Sequence, residues 1–252
     1  MKYALLVSYD GTDYGGWQIQ KNAVTVQQKL SEALEKTLGF KVGVTASGRT
    51  DSGVHAAAQV CHFSAQTSVP AERLADALNF NLPSDISVLK SAAAPDDFDA
   101  TASAKKKTYC YRLYVSGKRH PLKDRYSEHI KHQIDIEKLV EAGKFFEGEH
   151  DFKAYCAAGS QVKTTVRTVY SVEVKPRFSP LVTDVEVFVT GNGFLYNMVR
   201  TLVGTMLYFA AGRVSAEDIK RSLEQGDRNS VGKTMPAKGL TLEAVDYGFK
   251  LF

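Results

Sequence analysis

The sequence predicts an α+β fold built on antiparallel sheets. Apolar residues alternate along several short segments, and other segments carry them at helical spacing. Both kinds of segment occur in both halves of the chain, which favours mixed α+β over either pure class. From Tyr3 to Lys90 the predicted order is β-α-β-β-α-β, a ferredoxin-like pattern.

Tyr3–Tyr9 reads as a strand closed by the turn signal Asp10-Gly11. Gly11–Gln18 is a glycine-rich loop that embeds Tyr14 and Trp17. Thr25 with Gln28 predicts a capping box. Val26, Leu30, Ala33, Leu34 and Leu38 then follow helical spacing, and Gly39 predicts the stop. Val42–Thr45 predicts a short strand, Gln59–Ser64 another, and Pro70 opens a predicted helix to Asn79. Ile86–Lys90 is a further strand. Phe98–Ala104, small and polar, predicts the crossing between halves, which gives domains 1–103 and 104–252. In the second half Lys107–Val115 is a strand, Asp135–Phe145 a helix, and Val169–Val174 and Val182–Val189 strands. Gly193–Gly212 predicts a long apolar helix, Ser215 with Asp218 caps a shorter one, and Leu242–Tyr247 predicts a closing strand.

Composition narrows the function classes. The chain has 252 residues, 44% of them hydrophobic and 24% charged, as in an ordinary globular protein. The apolar stretch Phe194–Ala211 contains Asn197 and Arg200, so it reads as a buried helix rather than a membrane span, and a cytoplasmic location is expected. Cys61, Cys110 and Cys156 are widely spaced and form no zinc pattern, so reduced thiols and no metal site are expected. The net charge of +4 is only mildly basic, so any polyanion surface depends on where the lysines and arginines cluster.

The segment richest in chemistry is Gly48-Arg49-Thr50-Asp51-Ser52-Gly53-Val54-His55. Glycines there bracket a carboxylate, an arginine and a histidine between predicted strands. Asp51 fits either a local Asx-turn or a carboxylate aimed into a cleft. His55 fits either acid–base work or a structural role. No serine elbow, HExxH motif or P-loop accompanies them.

Several blocks together resemble one family. Gly48–Ala56 (GRTDSGVHA) resembles the signature loop of the TruA-type tRNA pseudouridine synthases. Tyr9–Gln20, Thr25–Leu34, Lys106–Leu113, Gly148–Tyr155, Gly191–Gly204 and Ala237–Tyr247 resemble that family's other blocks, in its order, over nearly the whole chain. Two stretches depart from the pattern. Phe98-Asp99-Ala100-Thr101 stands where the family often has Phe-His-Ala-Arg, and Ile19 stands where it often has arginine after Gly-Trp-Gln.

The resemblance implies two ferredoxin-like halves with a joined antiparallel sheet and a central cleft. It implies a cofactor-free isomerase that turns uridine into pseudouridine at tRNA positions 38, 39 and 40, after flipping the base, as a homodimer. It assigns Asp51 as the catalytic carboxylate and nucleophile, Arg200 as the guanidinium that keeps it ionised, and Tyr109 as the ring that stacks on the target base. On spacing alone, Arg200 equally fits a structural ion pair and Tyr109 a core tyrosine. RNA contacts are expected from Arg49, Lys105, Lys106, Lys107, Trp17 and Gln18, although Trp17 fits a core position as well and the lysines a solvated face. Further basic groups are the run Lys118–Arg125, and Lys163 with Arg167. Two other readings remain at this stage: a non-catalytic RNA-binding module of the same fold, and a hydrolase using Asp51 and His55.

Overall fold

The computed structural model of the chain describes residues 1–157, 159 and 162–252. It divides into two compact units, Met1–Lys107 with Thr241–Phe252, and Thr108–Leu240. Among the described residues there are ten strands, paired mainly antiparallel, and six α-helices: an α+β fold, as the sequence predicts.

The first unit runs β1 (Lys2–Tyr9), α1 (Val26–Leu38), β2 (Thr45–Ala46), β3 (His55–Ser64), α2 (Leu74–Asn79) and β4 (Ile86–Ala94). This is the β-α-β-β-α-β order read from the sequence. The second runs β5 (Lys106–Val115), α3 (Pro121–Asp124), β6 (Glu128–Ile130), α4 (Ile136–Lys144), β7 (Gly148–Asp151), β8 (Val166–Phe178), β9 (Thr183–Gly191), α5 (Met198–Ala210) and α6 (Ala216–Gln225). β10 (Leu240–Asp246) then closes the chain.

In the first unit the strands lie in the order β4-β1-β3-β10, with β2 on β3. β1 pairs antiparallel with both β3 and β4, and Tyr3, Leu5, Val7 and Tyr9 alternate into the core. α1 buries Val26, Leu30, Ala33 and Leu34 along one stripe. β10 pairs in parallel with β3, Thr241 opposite His55. The Tyr247 hydroxyl donates to the Ala100 carbonyl (2.9 Å), and its ring packs with Phe98, Ala4 and Val60. The closing segment therefore lies with the first unit, whereas a division by chain order at 103/104 groups it with the second.

In the second unit the order is β5-β9-β8-β7, with β6 parallel to β5. α5 buries Met198, Val199, Leu202, Val203 and Met206.

The local signals differ from the elements in definite ways. Thr25 accepts from Gln28 N, but the Gln28 side chain donates to Glu32 (2.8 Å), so only half of the expected capping box forms. Ser215 and Asp218 form the complete box. Val42–Thr45 shrinks to the two residues of β2, whose partner is β3. The helix expected from Pro70 splits into a 3-10 turn at Ala71–Arg73 followed by α2. β8 runs longer than its apolar core, because pairing with β9 continues through Lys175, Pro176 and Arg177 to Phe178, and β3 starts four residues early, at His55, through three alanines. The helix predicted from Gly193 starts only at Met198, because Asn197 takes a left-handed conformation, φ 62°.

Candidate active site

In the first unit the Asp51 segment joins β2 to β3 as an irregular loop, and the half-buried Asp51 opens a tight turn within it. Val54 N donates to the Asp51 carbonyl (3.1 Å), and Gly53 supplies the positive φ of 77° that this turn needs. The turn is clasped to the loop Gly11–Gln18. Trp17 N donates to the Thr50 carbonyl (3.0 Å), Gly53 N to the Tyr14 carbonyl (3.3 Å), and the Ser52 hydroxyl to the same carbonyl (3.2 Å). Glycine is required where the two loops touch. A Cβ at Gly11 would stand 2.0 Å from the Val54 carbonyl oxygen, and one at Gly16, φ 92°, would stand 2.6 Å from that of Thr50.

Buried side chains brace the turn from beneath. The Tyr9 hydroxyl and the Thr50 hydroxyl share a hydrogen bond of 2.7 Å, and burial pushes the Tyr9 phenol well above its usual range. Gln59 donates to the Gly48 carbonyl (2.9 Å) and accepts from the Ser47 hydroxyl (2.6 Å). His55 is 4% exposed. Its Nδ1 accepts from Gly11 N (3.0 Å) and lies 3.1 Å from an Asp10 carboxylate oxygen. That wiring makes His55 a tie between the two loops and removes the motivation for a hydrolytic histidine. Sequence reasoning overlooked Tyr9, Ser47, Gln59 and Asp10, whose roles depend on contacts that periodicity does not encode.

The expected RNA-contacting residues separate. Trp17 is 2% exposed, with its ring tilted against Tyr9 at 6.0 Å, so it packs the loop. Gln18, Arg49, Lys105 and Lys106 are exposed. Lys107 is half-buried and its ammonium donates to the Ser47 carbonyl (2.5 Å), at the entry to the Asp51 loop. Where the family pattern is broken, Thr101 donates its hydroxyl to the Ala46 carbonyl (2.6 Å), and Asp99 accepts from Thr101 N and Ala102 N (2.8 Å each). The departure is thus absorbed into the frame of the first unit. Ile19 is exposed.

In the second unit Tyr109 lies on β5, 8% exposed, edge-on to Phe194 with ring centroids 5.2 Å apart. Two residues on, the Tyr111 hydroxyl donates to the Pro236 carbonyl (2.7 Å). Arg200 lies in the first turn of α5. Its Nη1 donates to Asn197 Oδ1 and its Nε to the Met235 carbonyl, both at 2.6 Å. Met235 N in turn donates to the Arg200 carbonyl (3.2 Å). The segment carrying Met235 is strapped along α5. Gly232 N donates to the Thr205 hydroxyl (2.9 Å), Thr234 pairs with Thr201 (3.0 Å), and a Cβ at Gly204 would stand 1.8 Å from the Lys233 carbonyl oxygen. Lys238 continues the strap into ion pairs with Asp124 (3.1 Å) and Glu128 (3.3 Å). Asn197 and the Met235 carbonyl were not foreseen: one lies inside the expected helix, the other 35 residues from Arg200.

Among the described residues no helix is long and apolar enough to cross a membrane, and no cluster of His, Cys, Asp or Glu is arranged to hold a metal ion.

A family model described as tRNA pseudouridine synthase matches residues 5–101 and 142–248. A protein of Ruminiclostridium cellulolyticum named tRNA pseudouridine synthase A is 42% identical over 246 residues, covering 98% of this chain and 99% of its own. A protein of the same name from Halalkalibacterium halodurans is 43% identical over 240 residues (95% and 90% covered), and one from Bacillus subtilis 41% over 251 residues (98% and 99%). A solved Cbf5–Nop10–Gar1 complex gives a TM-score of 0.34 at 14% identity, covering 95% of this chain and 57% of that one, too weak a likeness to carry an argument. The match across both units, with near-complete mutual coverage by the relatives, settles the family: the chain belongs to the tRNA pseudouridine synthases.

Proposed function

We propose that the protein isomerises uridine to pseudouridine at positions 38, 39 and 40 of tRNA, in the cytoplasm and as a homodimer, with Asp51 as the catalytic carboxylate. Family membership carries the reaction class: an isomerisation of uridine in tRNA. The N1–C1′ glycosidic bond breaks, the detached uracil turns, C5 bonds to C1′, the proton on C5 leaves and N1 gains one. Atoms and oxidation states balance without a cofactor.

Asp51 supplies the anionic oxygen that attacks or stabilises the reacting nucleoside. The observation that carries this role is the construction of its turn, in which main-chain hydrogen bonds from Trp17 and Val54 and two sterically obligatory glycines hold the backbone around the carboxylate. Arg200 is the catalytic guanidinium, and the Asn197 Oδ1 and Met235 carbonyl acceptors set its plane. Tyr109 presents an aromatic face to the everted base. Flipping that base costs a few kcal/mol, which RNA contacts from Arg49, Lys105, Lys106 and Gln18 offset.

The test is modification mapping on unmodified tRNA transcripts incubated with the purified protein, with its mass in solution measured alongside. Pseudouridine confined to positions 38–40, formed by a dimer, is the expected result. Tight RNA binding without product would instead support a non-catalytic RNA-binding module.

A further inference from the structure

We infer that Asn197 is a positioning residue for the reaction: it sets the guanidinium of Arg200, and its place in the fold is explained by that task rather than by helix capping. The inference rests on the reading that Arg200 serves the chemistry.

Asn197 breaks two rules at once. It occupies the N-cap of α5, where asparagine normally takes extended backbone and its side chain accepts a hydrogen bond from the first turn. Here its backbone is left-handed, φ 62° and ψ 4°, and its side chain makes no capping bond. It is the one non-glycine residue with positive φ among the described residues. Glycine adopts that conformation without a Cβ penalty, so a requirement for the backbone shape alone would be met more cheaply by glycine. What glycine cannot supply is the carbonyl oxygen of the side chain.

That oxygen has a definite partner. Asn197 Oδ1 accepts from Arg200 Nη1 at 2.6 Å, while the Met235 carbonyl accepts from Nε at 2.6 Å. Two tethers on different nitrogens of one planar group fix its rotation as well as its position. The second tether is rigid, because Met235 lies in the strap held to α5 at Thr201, Gly204 and Thr205. The first is the left-handed Asn197, whose unusual backbone brings its side chain back over the next turn. An uncommon conformation kept beside a functional group is the pattern expected of stored strain put to use. A guanidinium misplaced by about 1 Å loses about 100-fold in rate.

Three variants separate the backbone from the side chain. Asn197→Gly keeps the left-handed backbone and deletes the acceptor. Asn197→Asp keeps both. Asn197→Ala deletes the acceptor and strains the backbone. Each is assayed for kcat and KM on tRNA and for thermal stability, beside Arg200→Lys. We expect Asn197→Gly to keep wild-type Tm and KM and to lose about 10- to 100-fold in kcat, with Asn197→Asp restoring most of it. Asn197→Ala should show the same loss in kcat with a lower Tm. Wild-type kcat in Asn197→Gly, with Arg200→Lys impaired, overturns the inference and leaves the role of Arg200 standing. Wild-type kcat in Arg200→Lys overturns the parent reading and the inference with it.

Discussion

The Asp51 loop and the Arg200 helix solve one problem, holding a charged side chain in a fixed pose, by opposite means. Around Asp51 the restraint is main chain against main chain: a turn closed by the amide of Val54, and two loops joined by the amides of Trp17 and Gly53 and allowed to touch by Gly11 and Gly16. Around Arg200 the restraint falls on the side chain itself, through Asn197 and a carbonyl of a distant strap. A short carboxylate moves little once its backbone is fixed. A long arginine side chain must be held near its tip, because fixing its Cα leaves several torsions free.

If the first device depends on backbone contact, the largest effects come from adding one methyl group. Gly11→Ala would press a Cβ against the Val54 carbonyl, and Gly204→Ala would do so at Lys233. Each is expected to cost about 3 kcal/mol or more in denaturant unfolding. Gly43→Ala, with open space around it and no positive φ, should be near neutral. Equal stability of all three would break the account of the loops at Gly11 and of the strap at Gly204.

A middle-sized effect separates Lys107 from its neighbours. Replacing Lys105 and Lys106 by alanine should weaken tRNA binding and flatten the slope of log affinity against log salt by about 2, close to one per phosphate contact, with kcat unchanged. Lys107→Met should instead lower kcat, since its ammonium holds the Ser47 carbonyl at the entry to the Asp51 loop. A change in KM alone for Lys107→Met would assign it to RNA contact.

The smallest effect is in pH. Partial burial works to raise the Asp124 carboxyl, but hydrogen bonds from Arg119, Lys238 and Tyr114 outweigh it and hold the pKa at about 2, below its usual 3.8. A depressed carboxylate stabilises the folded state above its unfolded pKa and loses that contribution as pH falls through the folded one. The strap that carries Lys238 should therefore loosen between about pH 4 and pH 2. Asp124→Asn should lower Tm at neutral pH and flatten the fall in Tm across that window. An unchanged acid limb in the variant would remove Asp124 from the account.

The same contrast explains what could be read from the sequence. The position of the loop was legible because glycines flank the aspartate in the chain between two alternating segments, whereas its clasp to Gly11–Gln18 forms only in the folded chain. The strand and helix order of the first unit was legible for the same reason. The clamp on Arg200 was not. Asparagine before an apolar run reads as helix or cap, and nothing in its neighbours signals φ 62°. The Met235 carbonyl belongs to a segment without periodicity, brought to α5 only by the folded chain. Trp17 sits in a loop whose polar neighbours suggest exposure, yet its ring fills space under Tyr9. The closing strand joins the first unit by a pairing with β3 between residues 186 apart in the chain, Thr241 and His55.

The central claim concerns the Asp51 carboxylate, and single turnover by Asp51→Asn on saturating tRNA, with binding measured in parallel, tests it most directly. The account predicts RNA bound about as tightly as by the wild type and no pseudouridine formed. Product appearing at the wild-type rate would contradict it.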